Sequence, residues 1–506
     1  MEIPYGITEK IKINQHAKPA LTTQMDAHRA ALLILPEKAG AAAWKHLPYA
    51  ALLRPRFQRL HHRERQAARL VTDLPNANAT HVILQALDPQ CSTFELLTTA
   101  RKLAAKLRER DPSSVLLQFA GFRPTDIRRL TEAMTAALLA AICPMPSYKS
   151  EVDKPAALKR IEIFGLKETL DLAQVRAEIT GNHLSRWLSV LPANELTPGL
   201  YRKFVAALAR KEGWQLRFLD HKELARKQAG AFLAVAQASP VPDAGIVHLR
   251  YRPRAPAGKP KLALVGKGIC FDTGGVNVKT AKYMNGMHED MQGSAVALGT
   301  LLALSRLRFD HPVDCWLALA QNHIGSRAYK PNDVVRACNG TSIEVIHTDA
   351  EGRMVLADTL ALACRDKPQL MIDYATLTGA CIYALSSRYS GVFSNRDALH
   401  GPLTAAGRDS GERVWPFPCD RDFDEALKSS IADIKQCTLE GEADHILATR
   451  FLNRFVADDI NWIHVDLAAS NHKGGLGHIP TDTTGFGVRL TLNLLLQQRI
   501  LESPWS

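Results

Sequence analysis

No CxxC pair occurs in this chain, and its nine cysteines are odd in number and scattered from Cys91 to Cys437. That excludes a disulfide framework and a thiolate zinc site, and it fits free thiols in a reducing compartment. No run of about 18 uninterrupted apolar residues is present, so a membrane-spanning helix is not expected. The opening MEIPYGITEKIKINQHAK has no apolar core behind a basic start and does not read as a secretory leader; a cytoplasmic location is expected. Internal repeats and low-complexity tracts are also missing. The 31 Gly and 27 Pro are ordinary for 506 residues, which excludes collagen-like and Pro/Gly-rich disordered classes.

What is present is a globular composition, 46% hydrophobic and 23% charged, long enough for two or three domains. The net charge of +12 is concentrated at the front, where residues 1–150 hold 21 basic and 12 acidic side chains. Its densest stretch, LRPRFQRLHHRERQAARL from Leu53 to Leu70, sets six arginines against Glu64. A solvated helical face explains such a run; a surface for nucleic acid is the second reading, although no RNP or zinc-finger motif accompanies it.

Extended apolar runs (HVILQAL from His81, SVLLQFA from Ser114) alternate with helix-period runs over Phe94–Arg110 and Thr125–Ala141, the latter with Thr125 as the expected N-cap. The proline-bearing stretch Cys143–Pro155 reads as a boundary. An amphipathic segment, Leu170–Leu191, follows. From Thr197 onward WQLRFLD, IVHLRYR, KLALVGKG, DCWLALAQ, LMIDYATL and INWIHVDLA alternate with helical patterns such as Met291–Leu307 and Arg353–Cys364. The expected fold is therefore α/β. A smaller N-terminal α/β domain (1–150), suited to regulation or oligomerisation, precedes a linker and interdomain helix (151–196). A catalytic domain (197–506) follows, with a mixed, largely parallel sheet flanked by helices. Ligands of such sheets gather beyond the carboxyl ends of the strands.

Three segments place chemistry there. LALVGKGICFDTGGVNVKT (Leu262–Thr280) carries Lys267, Asp272 and Lys279 into a glycine-rich connection. MNGMHEDMQGSAVALG puts Asp290 ahead of a helix, where an N-cap is its plain reading. IEVIHTDAEGRMVLADTL (Ile343–Leu360) delivers Asp349 and Glu351 two residues apart, on one side if the chain is extended, with Arg353 after them. Asp349, Glu351 and Arg353 read plainly as a surface salt bridge. Together, four carboxylates meeting in a partly dry cleft demand cations, and hard oxygen donors favour Mn²⁺, Mg²⁺ or Zn²⁺.

These segments resemble the leucyl (cytosol) aminopeptidase family of two-metal exopeptidases. The family's Asn-Thr-Asp-Ala-Glu-Gly-Arg signature stands here as His347–Arg353, and its glycine-rich block as Gly266–Lys279. Asp373–Ala380, Ser430–Lys435, Phe451–Val456 and Thr484–Leu490 match as well. The resemblance implies that Asp272 and Glu351 bridge two divalent ions (Mn²⁺ or Zn²⁺), with Lys267 and Asp290 completing one shell and Asp349 the other. The ions would share and activate the attacking water. It further implies that Lys279 stabilises the oxyanion and that Arg353 holds a bicarbonate ion carrying the proton to the leaving amine. Met287, Thr376 and Gly379 would line a slot for an apolar N-terminal residue such as leucine. Peptides are the implied substrates and a homohexamer the implied assembly.

His347 replaces the signature asparagine and is expected to be structural. Asn471 stands where the specificity pocket is often apolar, and a metal role for His445, His472 and His478 is weighed against plain packing. Two other classes are set against the peptidase: a nucleic-acid-binding or regulatory protein using the basic front, and a phosphoesterase. The latter is disfavoured because a phosphate would call for more cations.

Overall fold

The computed structural model describes residues 6–63, 69–151, 154–254, 258 and 261–502; within the arginine-rich stretch, 64–68 lie outside the described residues. The chain divides into two units. The smaller comprises Pro4–Ile179 with Leu476–Pro480, and the larger is built from Thr180–Gly475 and Thr481–Ser506 together with the first three residues.

In the smaller unit, strands β1 (Lys12–His16), β2 (Ala30–Pro36), β3 (Arg69–Asp73), β4 (His81–Leu87), β5 (Ser114–Phe119) and β6 (Arg160–Phe164) form one sheet in the order β1-β6-β5-β2-β4-β3. All pairs are parallel except β3 with β4. The buried runs of β2, β4 and β5 are apolar almost throughout, as a strand covered on both faces requires. Helix Thr93–Arg108 starts in a capping box in which Ser92 and Glu95 satisfy each other's backbone N–H. Helix Pro124–Ala141 differs from expectation at its start. Pro124 rather than Thr125 opens it, because the fixed φ and missing N–H of proline suit the first turn, and Arg123 precedes it without a side-chain cap.

The larger unit continues with β7 (Gln215–Leu219), β8 (Gly245–Tyr251), β9 (Leu262–Asp272), β10 (Val313–Asn322), β11 (Val334–Arg336), β12 (Ser342–Glu344), β13 (Leu370–Ala375), β14 (Ser390–Ser394), β15 (Val414–Pro416), β16 (Ile434–Lys435) and β17 (Asn461–Asp466). Eight of these form a sheet in the order β15-β14-β17-β13-β9-β10-β8-β7, and β11-β12-β16 form a small second one. Its central pairs, β17 with β13, β13 with β9 and β9 with β10, are parallel; β14 with β17, β10 with β8 and β8 with β7 are antiparallel. The mixed, largely parallel sheet expected from the sequence is what forms.

Helix Gln292–Arg306 lies hard against the centre of this sheet, buried from Gln292 to Leu304. Glycine permits the approach: a Cβ on Gly293 would stand 2.1 Å from the Tyr374 carbonyl oxygen, and one on Gly266 2.4 Å from the Ser294 Cα. The carboxyl ends of β9, β10 and β17 deliver Asp272, Asn322 and Asp466 to one end of the sheet, and Thr376 follows directly after β13.

Candidate active site

A cleft of about 1170 Å³ opens at that end, and every sequence-predicted site residue lines it: Lys267, Asp272, Lys279, Met287, Asp290, Asp349, Glu351, Arg353, Thr376 and Gly379. Lys267 rises from the middle of β9 with its side chain 4% exposed. Its Nζ lies 2.8 Å from Asp290 Oδ1, 2.9 Å from Glu351 Oε1 and 2.9 Å from the Thr376 carbonyl. Lys279 Nζ lies 3.0 Å from Asp272 Oδ2 and 2.5 Å from Asp349 Oδ1. Two lysines thus tie together the four carboxylates.

The backbone around them is fixed by close packing. After Asp272 the chain turns through Gly274 and Gly275, both at positive φ, and the Gly274 N–H caps Asp272 Oδ1 at 2.8 Å. Asn322 Nδ2 donates 2.8 Å to the same oxygen and 3.0 Å to the Thr348 carbonyl, which joins β10 to the signature loop. Asp290 is not the N-cap that its position suggests. It follows the short turn Met287–Glu289, while Met291 precedes the helix without a side-chain cap. The carboxylate instead accepts 2.7 Å from Thr376 Oγ1 and faces Lys267. Nor are Asp349 and Glu351 on an extended strand, for β12 ends at Glu344. Asp349 sits in a turn and Glu351 is the first residue of helix Glu351–Cys364. Thr348 makes that turn, its Oγ1 donating 2.6 Å to the Gly274 carbonyl. The plain salt-bridge reading fails as well, since Glu351 and Arg353 are buried.

The cluster is short of positive charge. Burial pushes Asp290 up to about 8, against the opposing pull of Lys267. Burial likewise raises Glu351 to about 7 and Asp349 to about 6, with the Asp272 carboxylate adding to both. Asp290 Oδ2 and Glu351 Oε2 are buried without a hydrogen-bond partner. Oxygens of Asp272, Asp290 and Glu351 all lie within 4.8 Å of one another, a spacing that divalent cations fit. The carboxylates raise the Lys267 amine well above its ordinary value despite its burial, so an ion taking up that nitrogen must displace a proton.

Arg353 lines the same cleft but pairs with a different carboxylate. Only 3% of its side chain is exposed, Nη1 donates 3.2 Å to the Gln436 carbonyl, and Nη2 donates 2.9 and 3.1 Å to the two oxygens of Asp444. A carboxylate of the chain thus already sits on Nη2 of this guanidinium at the cleft, while its Nε is buried without a hydrogen-bond partner. No local signal points to Asp444, which lies 91 residues from its partner.

His347 is half-buried, and its Nδ1 accepts 3.2 Å from the Asp349 N–H; burial and the Lys279 cation lower its pKa, keeping it neutral. At the wall of the cleft Asn471 Nδ2 donates 2.5 Å to Glu289, and Thr483 Oγ1 donates 3.3 Å to the same carboxyl. Burial raises the Glu289 pKa. His445, His472 and His478 are in no metal-capable group among the described residues; His445 packs edge-on against Phe417, and His472 bonds Ser387.

Residues 183–492 match the cytosol aminopeptidase family, catalytic domain. The chain belongs to that family. A protein of Prochlorococcus marinus (strain MIT 9313) named "Probable cytosol aminopeptidase" is 36% identical over 416 residues, 81% of this chain and 84% of the relative. One of the same name from Syntrophotalea carbinolica is 41% identical over 353 residues, 68% of this chain and 70% of the relative. Among solved structures, a mutant tomato leucine aminopeptidase superposes with a TM-score of 0.84 at 25% identity, covering 96% of this chain and 97% of the other. This cytosol aminopeptidase family member is thus a metal-dependent aminopeptidase, a hydrolase. Nothing in the relatives or the cleft supports the nucleic-acid alternative. No helix of the described residues is long and apolar enough to cross a membrane.

Proposed function

We propose that this enzyme removes leucine-like, apolar residues from the N-termini of peptides, using two divalent ions, Mn²⁺ or Zn²⁺. The observation that carries the reading is the charge-deficient group of Asp272, Asp290, Asp349 and Glu351 bound to two lysines in one cleft. Asp272 and Glu351 would bridge the ions, with Lys267 and Asp290 on one and Asp349 on the other. When bound, the ions supply Lewis acidity that polarises the scissile carbonyl and makes water a nucleophile near neutral pH.

The remaining work falls to the chain itself. Asp290, beside the ion that carries Lys267, would accept hydrogen bonds from the substrate α-amine, which restricts cleavage to the N-terminus. Lys279, with 15% of its side chain exposed to the cleft, would donate to the carbonyl oxygen as negative charge develops there. Met287, Thr376 and Gly379 would form the slot for the first side chain. Gly379 opens helix Gly379–Leu385, where the lack of a side chain leaves space. Glu289, tied up by Asn471 and Thr483, offers that slot hydrogen-bond acceptors rather than a free charge. A cytoplasmic location and a homohexameric assembly complete the proposal.

The deciding experiment is hydrolysis of leucine p-nitroanilide with Mn²⁺ or Zn²⁺. Activity that chelator abolishes, and that Glu351→Ala lacks by several orders of magnitude, is the expected result; equal rates in both proteins would overturn the reading.

A further inference from the structure

Resting on that reading, the reaction needs a group that takes a proton from the attacking water and returns it to the leaving amine, and that is not itself committed to an ion. Seven acids line the cleft. Four make up the cluster tied together by Lys267 and Lys279. Of the others, Glu289 is held by Asn471 and Thr483, and Asp466 accepts 2.6 Å from Thr378 Oγ1, 3.2 Å from the Leu377 N–H and 3.4 Å from the Thr378 N–H. Asp444 alone combines exposure, 27% of its side chain, with a single charged partner, the Arg353 guanidinium.

Its placement is held against local preference. Asp444 opens helix Asp444–Asn453, and the residue before it, Ala443, lies in the left-handed region at φ 51°, which a residue bearing a side chain rarely adopts. That turn sets the carboxylate on Arg353 Nη2, and both residues line the cleft. A carboxylate there has the charge and paired oxygens of the bicarbonate ion that the resemblance implied, but it is covalently part of the chain.

We propose that Asp444 is the built-in anion of Arg353 and the proton carrier of the reaction, so that this enzyme works without bicarbonate. As water attacks the carbonyl carbon, its O–H bond breaks and the proton passes to a carboxylate oxygen of Asp444. As the C–N bond of the tetrahedral intermediate breaks, the proton passes to the amine nitrogen and the carboxylate is regenerated. Water is consumed and nothing is oxidised or reduced.

The test uses the Mn²⁺-loaded full chain in CO₂-free buffer with leucine p-nitroanilide. Wild type should turn over at the same rate with and without added bicarbonate, and calorimetry should detect no bicarbonate binding. Asp444→Asn should lower kcat about 10²-fold with little change in KM, the usual contribution of a positioned acid–base group. Asp444→Gly should be equally slow but regain activity saturably with formate or bicarbonate, which a purely structural role of the side chain would not produce. Saturable binding or activation by bicarbonate in the wild type overturns the proposal. So does wild-type kcat in Asp444→Asn, or a folded Asp444→Gly that formate does not rescue. If the wild type shows no aminopeptidase activity the broader reading fails, yet bicarbonate calorimetry still decides what occupies Arg353.

Discussion

At Gly352 a Cβ would stand 2.7 Å from Lys267 Nζ and from its Cε. The conflict is with the far end of a side chain, not with backbone, so Lys267 would swing away from Asp290 and Glu351; because all three are buried, Gly352→Ala is expected to lower the melting temperature of the ion-free protein. Metal affinity should fall about 10–100-fold, as when a supporting contact of a metal site is removed, and Mn²⁺ titration of the variant checks this; unchanged affinity would show that Lys267 is no ligand. Lys279→Met asks a different question of the neighbouring amine. That lysine neutralises Asp272 and Asp349 in the ion-free site and would serve the oxyanion in the loaded one. The expected outcome is kcat lower by about 10²–10³-fold with two ions still bound, read from steady-state kinetics beside metal analysis. Loss of an ion in this variant would reassign Lys279 from oxyanion stabilisation to holding the site together.

At the scale of elements, what the sequence made legible follows from periodicity. β9, β10, β13 and β17 are buried, largely apolar runs, and their ends marked where Asp272 and the segments beyond would emerge. Turns were not legible in the same way. Asp349 and Glu351 are brought in by a turn pinned through Thr348 to Gly274 and Asn277, long-range contacts with no local signature. Asp444 was missed for the same reason, since a left-handed alanine carries no turn signal in sequence. Helix Gln292–Arg306 shows a constraint the pattern does hint at, in its glycines. A Cβ on Gly299 would fall 2.4 Å from the Gly181 carbonyl oxygen, at the crossing with helix Ala173–Ser189. Backbone cannot yield as a side chain does, so Gly299→Ala should cost about 1–3 kcal/mol through overpacking. Denaturant unfolding measures that loss, and an unperturbed midpoint would mean the two helices do not cross as closely as described.

At the scale of the whole molecule, the ion site links metal, pH and stability. Carboxyls raised by burial keep protons in the native ion-free protein that the unfolded chain has already released. Their contribution to stability is therefore complete below the unfolded values near 4 and is lost as pH rises through about 6 at Asp349, about 7 at Glu351 and about 8 at Asp290. Divalent ions reverse the balance, because they bind the deprotonated cluster and only in the native state, so their stabilising effect grows over the same interval. The rise in melting temperature between EDTA and saturating Mn²⁺ should accordingly be small at pH 5.5 and larger at pH 8. Calorimetry in buffers of different ionisation enthalpy should show protons released on binding. Taking this difference at each pH cancels every titrating group remote from the cleft. A rise that is the same at both values would therefore mean that these carboxyls are not where the metal binds.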